Sequence, residues 1–256
     1  MLGISALSLD IEEKLRFVQF CPSIGYIEYG IDEKEEFEAL RRALASLENP
    51  PSLAFHLPLK ANPAEDIPVL RRANLEYLRE IIVEGLKFEP LYFNMHLGHL
   101  FQSRYEKNPE LYHRLAADYL KELLEIDPRV RLYVENMYSL SKERSGDLIS
   151  FGKSREEIRG VLSLIDSPRI GFCRDIGHEI LSGESYGEEA FVKEALLHFN
   201  TNRGERDEHL GFLGKDYDYG FLQRLRSSGT FRFVLLELPA SELAAVLEEM
   251  KRRESC

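Results

Sequence analysis

The chain is poor in cysteine, with three in 256 residues, at Cys21, Cys173 and Cys256. Cysteines so few and scattered cannot build a disulfide framework, and they point to a reducing compartment. Long apolar runs are missing too, and none approaches the length of a membrane span. The first residues show no basic region followed by an extended apolar stretch, so no secretory signal is expected. Leu2–Ala6 reads as a strand instead. The expectation is a cytoplasmic protein without a membrane partner. Basic clusters are also lacking: the formal charge is −11, with Lys and Arg interspersed among acidic residues. That balance offers no electrostatic footprint for nucleic acid and weighs against such a partner. No Pro/Gly/Ser-rich linker, short repeat or low-complexity tract divides the sequence. Residues 1–256 therefore read as one domain, and 44% hydrophobic content suffices for one large core.

What is present is alternation. Short apolar runs near 2–6, 24–29, 52–57, 91–96, 130–135, 169–174, 195–200 and 231–237 read as strands. Amphipathic helical patterns lie between them, such as IEEKLRFVQF, VLRRANLEYLREIIVEGLKF and ELYHRLAADYLKELLEI. The segment after the sixth run, HEILSGESYGEEAFVKE, is helical but interrupted. Strand–helix alternation of this kind predicts a parallel sheet with helices outside. Eight units in this length predict an α/β fold, a single (β/α)₈ barrel, with a doubly wound open sheet as the alternative. One stretch is polar and aperiodic, 200–219 after the seventh run. A loop of that kind at the ligand-bearing rim of a barrel reads as functional.

Nine residues of metal-ligating type recur at the ends of these runs. They are His56, His96, Glu135, Asp175, His178, His198, Asp207, His209 and Glu237. Strand alternation puts residues i and i+2 on one face, so Tyr133 shares a face with Glu135, Cys173 with Asp175, His198 with Asn200, and Leu235 with Glu237. In the first two and the last of these pairs the ligand type lies nearest the C-terminal end, where successive parallel strands converge. Burying so many carboxylates and imidazoles together is costly unless a cation offsets it. Mixed Asp/Glu/His donors suit Zn²⁺ or Mn²⁺, with Mg²⁺ or Co²⁺ as further candidates. Taken singly, each has a plainer reading. A strand-end histidine is more often a hydrogen-bonded structural group, Asp175-x-x-His178 is also the pattern of a helix N-cap, and Glu237 could be solvated where its strand exits. His99 and His113 keep structural roles.

In the order GYIEYG, FHLPL, MHLG, YVENM, CRDIGH, LHFN, DEHLGFLGKDYD and LLEL, the chain resembles the xylose isomerase-like barrels. That superfamily includes sugar isomerases and epimerases as well as the endonuclease IV, or AP endonuclease 2, family. The resemblance to the isomerase branch implies one metal held by Glu135, Asp175, His198 and Glu237, with the two glutamates as proton-transfer groups. A cation beside a carbonyl and hydroxyl stabilises the enediolate formed on deprotonation. His178 would bind substrate oxygens, together with Arg203 or Arg206. The resemblance to endonuclease IV implies up to three zinc ions on all nine residues, activating a hydroxide for phosphodiester cleavage at abasic sites.

Three features favour the sugar-active branch. Glu28 ends the second run, as in that branch, and is expected to bind substrate. Leu59 stands where the nuclease branch carries an aromatic residue. The loops are short and acidic overall, with no basic groove for phosphates. The leading expectation is therefore a divalent-metal isomerase or epimerase of a small carbohydrate, with homodimerisation plausible. The alternatives are an endonuclease IV-like phosphodiesterase, with Asp207 and His209 as ligands rather than supporting groups, and a non-catalytic sugar-binding barrel.

Overall fold

Parallel strands covered on both faces need near-continuous apolar sequence, and the eight runs supply it. The computed structural model describes residues 1–138, 147–184 and 194–254. Its strands are β1 (Leu2–Ala6), β2 (Ile24–Gly30), β3 (Ser52–His56), β4 (Phe93–Met95), β5 (His99–Phe101), β6 (Leu132–Glu135), β7 (Leu148–Ser150), β8 (Ile170–Asp175), β9 (Glu194–Phe199) and β10 (Phe233–Leu236). Its α-helices are α1 (Ile11–Phe20), α2 (Glu36–Ala45), α3 (Pro68–Gly85), α4 (Gln102–Tyr105), α5 (Pro109–Leu124), α6 (Arg155–Leu162), α7 (Ile176–Ser182), α8 (Tyr219–Ser227) and α9 (Ala240–Glu254). Strands β1, β10, β9, β8, β6, β4, β3 and β2 close, in that order, into a parallel barrel. The open sheet is excluded, and the predicted (β/α)₈ barrel is what the chain forms.

Helix starts follow local chemistry. Asn108 caps α5 by accepting from Leu111 N, with Pro109 at the first turn, where its missing N–H costs nothing. Ser154 caps α6, and Glu157 folds back to accept from the amides of Gly152 and Lys153 at 2.9 Å each. The helices bury one stripe against the barrel; in α5 that stripe includes Tyr112, Ala116, Leu120 and Leu123.

Inside the barrel the period of two holds. A floor of Tyr26, Tyr92, Tyr133 and Phe233 fills the lower interior, with ring centroids 5.0–6.3 Å apart. Gly3 is required there, because a Cβ on β1 would collide with the Tyr26 ring. Above this floor the inward positions turn polar. In the strand register Glu135 pairs with Cys173, Asp175 with His198, and His198 with Leu235.

Several boundaries differ from the sequence reading. β4, β6 and β10 begin two residues later than expected, and β10 ends at Leu236, so Glu237 lies just beyond its strand. The interrupted segment after β8 is helical as α7 until Gly183, whose φ of 70° ends the helix in the left-handed region. The rest of that segment, 185–193, lies outside the described residues. An antiparallel pair, β5 with β7, was not foreseen. The polar stretch 200–219 carries two isolated bridges, Thr201 with Leu210 and Leu213 with Tyr217, until α8 starts at its last residue. Among the described residues no helix is long and apolar enough to cross a membrane.

Candidate metal centre

All nine sequence-predicted donors converge at the C-terminal end of the barrel, in three groups. Glu135 is the hub of the first, with His56 Nε2 3.4 Å from Oε2 and His96 Nε2 3.4 Å from Oε1. Glu135 also belongs to the second group, with Asp175, His198 and Glu237, whose donor atoms lie within 4.8 Å of one another. In it His198 Nδ1 is 3.0 Å from Glu237 Oε2 and 3.4 Å from Glu135 Oε2. The third group gathers on Asp207 Oδ2, with His178 Nε2 at 3.4 Å and His209 Nε2 at 3.1 Å.

Three of the histidines are held by their outer nitrogens. His56 Nδ1 donates to Leu57 O at 2.8 Å, His178 Nδ1 to Asn136 O at 2.8 Å, and His209 Nδ1 to Glu237 O at 3.0 Å. A carbonyl only accepts, so each of these nitrogens carries the hydrogen and Nε2 is left to face the carboxylates. Anchoring of this kind is how metal-binding imidazoles are oriented. His209 adopts φ 50°, an uncommon backbone for a residue with a side chain, at a position where its ring bridges two loops.

Three asparagines hold the acids in place, and none of the three was singled out from the sequence as a site residue. Asn94 donates to Glu135. Asn136 accepts from Asp175 N at 2.7 Å and donates to Asp175 O at 3.0 Å. Asn200 donates to Asp175 Oδ2 at 2.7 Å and to Glu237 Oε2 at 3.4 Å. The signal was present: each stands in a strand-end run, two residues before His96, one after Glu135 or two after His198. Asp175 serves twice, since its Oδ1 also accepts from His178 N at 2.6 Å as the cap of α7. The plainer reading of Asp175-x-x-His178 was correct and compatible with the other.

Charge in the pocket is distributed unevenly. Burial pushes Glu135 and Glu237 up, but the surrounding histidines outweigh it, leaving Glu135 well below the usual range and Glu237 at about 2. Burial raises Asp175 to about 8. For His56, His178 and His209 burial opposes the charge, yet nearby carboxylates lift them to about 9, 10 and 10. His96 goes the other way, with burial lowering it. The chain alone thus gathers protons against its acids, the role a divalent cation takes over. Two atoms support that fit further: His96 Nε2 and Asp207 Oδ1 are buried without hydrogen-bond partners. Nitrogen and oxygen donors in this mixture suit Zn²⁺ or Mn²⁺.

The remaining expectations fare differently. Glu28 is not at the rim; it is 2% exposed and lies beneath His198. Its depth follows from register, because β2 runs on to Gly30 and Glu28 pairs with Ala54, two residues below His56. Arg203 and Arg206 are exposed and paired with Glu208, at 2.7 and 3.6 Å. Leu59 is exposed at the mouth side of β3, 61% accessible. His113 is structural as expected, stacked on Phe151 and bonded to the Tyr105 hydroxyl at 3.1 Å.

The sequence profile of the family described as xylose isomerase-like TIM barrel matches residues 12–255. A curated relative from Mycoplasmopsis pulmonis (strain UAB CTIP), named Probable endonuclease 4, is 27% identical over 192 residues. That alignment covers 69% of this chain and 64% of the relative, less than two thirds of its length. Among solved structures, a D-tagatose 3-epimerase-like protein superposes with a TM-score of 0.73 at 18% identity, covering 100% of this chain and 99% of its own. A protein from Thermus thermophilus, in crystals soaked with ZnCl₂, superposes at 0.67 with 21% identity, covering 97% of each chain. At these identities the two superpositions establish the barrel and nothing finer.

Proposed function

The chain belongs to the xylose isomerase-like TIM-barrel family, and within it we propose a multinuclear zinc-dependent hydrolase of phosphodiesters. One observation carries the reading: His56 and His96 form a second metal-type group that shares Glu135 with the central four, and His178 and His209 both meet Asp207 beside it. An isomerase needs only Glu135, Asp175, His198 and Glu237. It would leave His56, His96, His178, Asp207 and His209 to meet a substrate. Instead the four histidines among them turn Nε2 toward carboxylates, and three are anchored through the opposite nitrogen. The relative named Probable endonuclease 4 points the same way.

Divalent cations bound by the three groups would supply Lewis acidity to a phosphoryl oxygen and to attacking and leaving oxygens. The side chains contribute the rest. Glu135, shared by two groups and 2% exposed, fixes their spacing, while Asn94 and Asn200 keep Glu135 and Asp175 from rotating. Glu237 is the most accessible of the four donor carboxylates, at 22% against 2%, 0% and 18% for Glu135, Asp175 and Asp207. His198 holds it ionised, so it meets a cation as a carboxylate.

The sequence ranked isomerisation first, and one observation still favours it. The central four donors form a complete set by themselves, with two glutamates at hand for proton transfer. Metal content and turnover separate the readings. Zinc-loaded protein should carry about three equivalents per chain and cleave bis(4-nitrophenyl) phosphate or an abasic-site duplex. A single equivalent, with solvent deuterium entering a sugar beside its carbonyl and that exchange lost in Glu237→Gln, would establish the isomerase instead.

A further inference from the structure

Glu28 is a buried acid outside the four central donors. It sits on β2, three strands around the barrel from the strand of His198, and is 2% exposed. Its Oε2 accepts from the Tyr92 hydroxyl at 2.7 Å and lies 3.2 Å from His198 Nε2. Tyr92 and Tyr26 hydroxyls are 3.2 Å apart. A phenol has one proton, and the shorter contact to a carboxylate claims that of Tyr92, so Tyr26 supplies the proton of the second contact. The result is a hydrogen-bonded chain running from the aromatic floor up to the imidazole.

His198 has carboxylates at both ring nitrogens. Nδ1 faces Glu237, Glu135 and Asp175 at 3.0, 3.4 and 3.9 Å, while Nε2 faces Glu28. His178 and His209 also meet acids on both sides, but in them a backbone carbonyl takes the Nδ1 hydrogen. His198 has no carbonyl of that kind among the described residues, so its tautomer is set by the side chains around it, the acids together with Cys173 and Asn94. We propose that Glu28 is a positioning residue for His198. Its carboxylate accepts the Nε2–H bond from below and so turns the Nδ1 lone pair toward the central donors. An acid left among tyrosines without such a task would be costly to bury. Asn94 Nδ2, 3.4 Å from the same nitrogen, is the more distant neighbour, and one of its two hydrogens goes to Glu135.

The inference rests on His198 being a metal donor, and the experiment keeps the two apart. Wild-type protein labelled with ¹⁵N-histidine is titrated with zinc and followed by NMR. His198 is expected to carry hydrogen on Nε2 and to coordinate through Nδ1; the Nδ1–H tautomer would overturn the proposal without any variant. Wild-type protein that takes up no zinc would overturn the metal reading itself, and the proposal with it. Zinc affinity is then compared in Glu28→Gln, which keeps the shape but weakens the acceptor. The central affinity should fall about 10–100-fold, with full stoichiometry recovered at high zinc. An affinity within about two-fold of wild type would sink the positioning role. A permanent loss of one equivalent would make Glu28 a donor in its own right and equally overturn it.

Discussion

His178 Nε2 and Asp207 Oδ2 lie 3.4 Å apart, although one belongs to α7 and the other to the polar loop after β9. With His209 on the same oxygen, Asp207 is the only carboxylate among the described residues within ion-pair reach of both rings' Nε2. The hydrolase reading therefore predicts that Asp207→Asn removes about one zinc equivalent and leaves the other two in place. Diester hydrolysis should fall by more than the roughly 10–100-fold typical of losing an outer hydrogen-bond partner. Atomic absorption and steady-state kinetics measure both. Unchanged zinc content would return Asp207 to a supporting role.

The metal-free protein should lose stability as pH rises from about 7 to 10. His56, His178 and His209 have folded pKa values of about 9, 10 and 10. Each lies above the unfolded value of about 6.5, so the folded chain binds more protons through that window. Their contribution is fully present below about pH 6.5 and disappears as pH passes 9 to 10. Asp175 acts in the same direction at lower pH: raised to about 8, it stays protonated when folded and ionises when unfolded. Zinc replaces these protons, so its affinity rises over the same window. Melting of chelator-treated and zinc-loaded protein across this range checks the sign. The gap between the two Tm values should widen with pH, and a metal-free Tm that climbs instead would contradict the protonation pattern.

Gly177 follows the cap of α7, and a Cβ there would collide with the Asn200 side chain. Asn200 in turn holds Asp175 and Glu237. Gly177→Ala should cost about 1–3 kcal/mol as an overpacked site. It should also weaken zinc at the central group, because the displaced amide no longer restrains either carboxylate. Denaturant unfolding and zinc titration read the two effects separately. A stable variant with normal zinc affinity would mean that Asn200 can move away without consequence.

The clustering of these residues was legible because two simple periods coincide. Strand alternation placed Asp175 two residues from Cys173 and Glu135 two from Tyr133, and both pairs do face the barrel interior. Face, however, is not height. Glu28 has the right face for a rim residue but the wrong level, since barrel shear pairs it with Ala54 and not with His56. The level of a residue depends on how far its own strand continues, and β2 continues to Gly30. The three asparagines were passed over because a neutral amide in an apolar run carries no charge pattern. The β5–β7 pair was invisible for another reason: two short strands joined across a long intervening stretch leave no local period. Sequence lists candidate donors without saying which of them share an oxygen, and that grouping is what separates the two proposed chemistries.

A buried ion pair between β8 and α7 carries the last prediction. Arg174 faces outward from β8 and grips Glu179 of α7 through two bonds, at 2.8 and 3.0 Å. The two side chains are 5% and 11% exposed. Each is adjacent in sequence to a proposed metal donor, Arg174 to Asp175 and Glu179 to His178, so the pair ties β8 to α7. Removing one partner of a buried pair costs about 3–5 kcal/mol. Glu179→Ala should lose that much, while Arg174→Met with Glu179→Leu should recover most of it, since an apolar pair of similar volume satisfies the site. If α7 is held mainly by this pair, Glu179→Ala also weakens zinc at His178 more than at the central group. The double variant tests that point: stability regained without zinc affinity would mean that the ionic contact aims the helix, whereas recovery of both would mean that packing alone suffices.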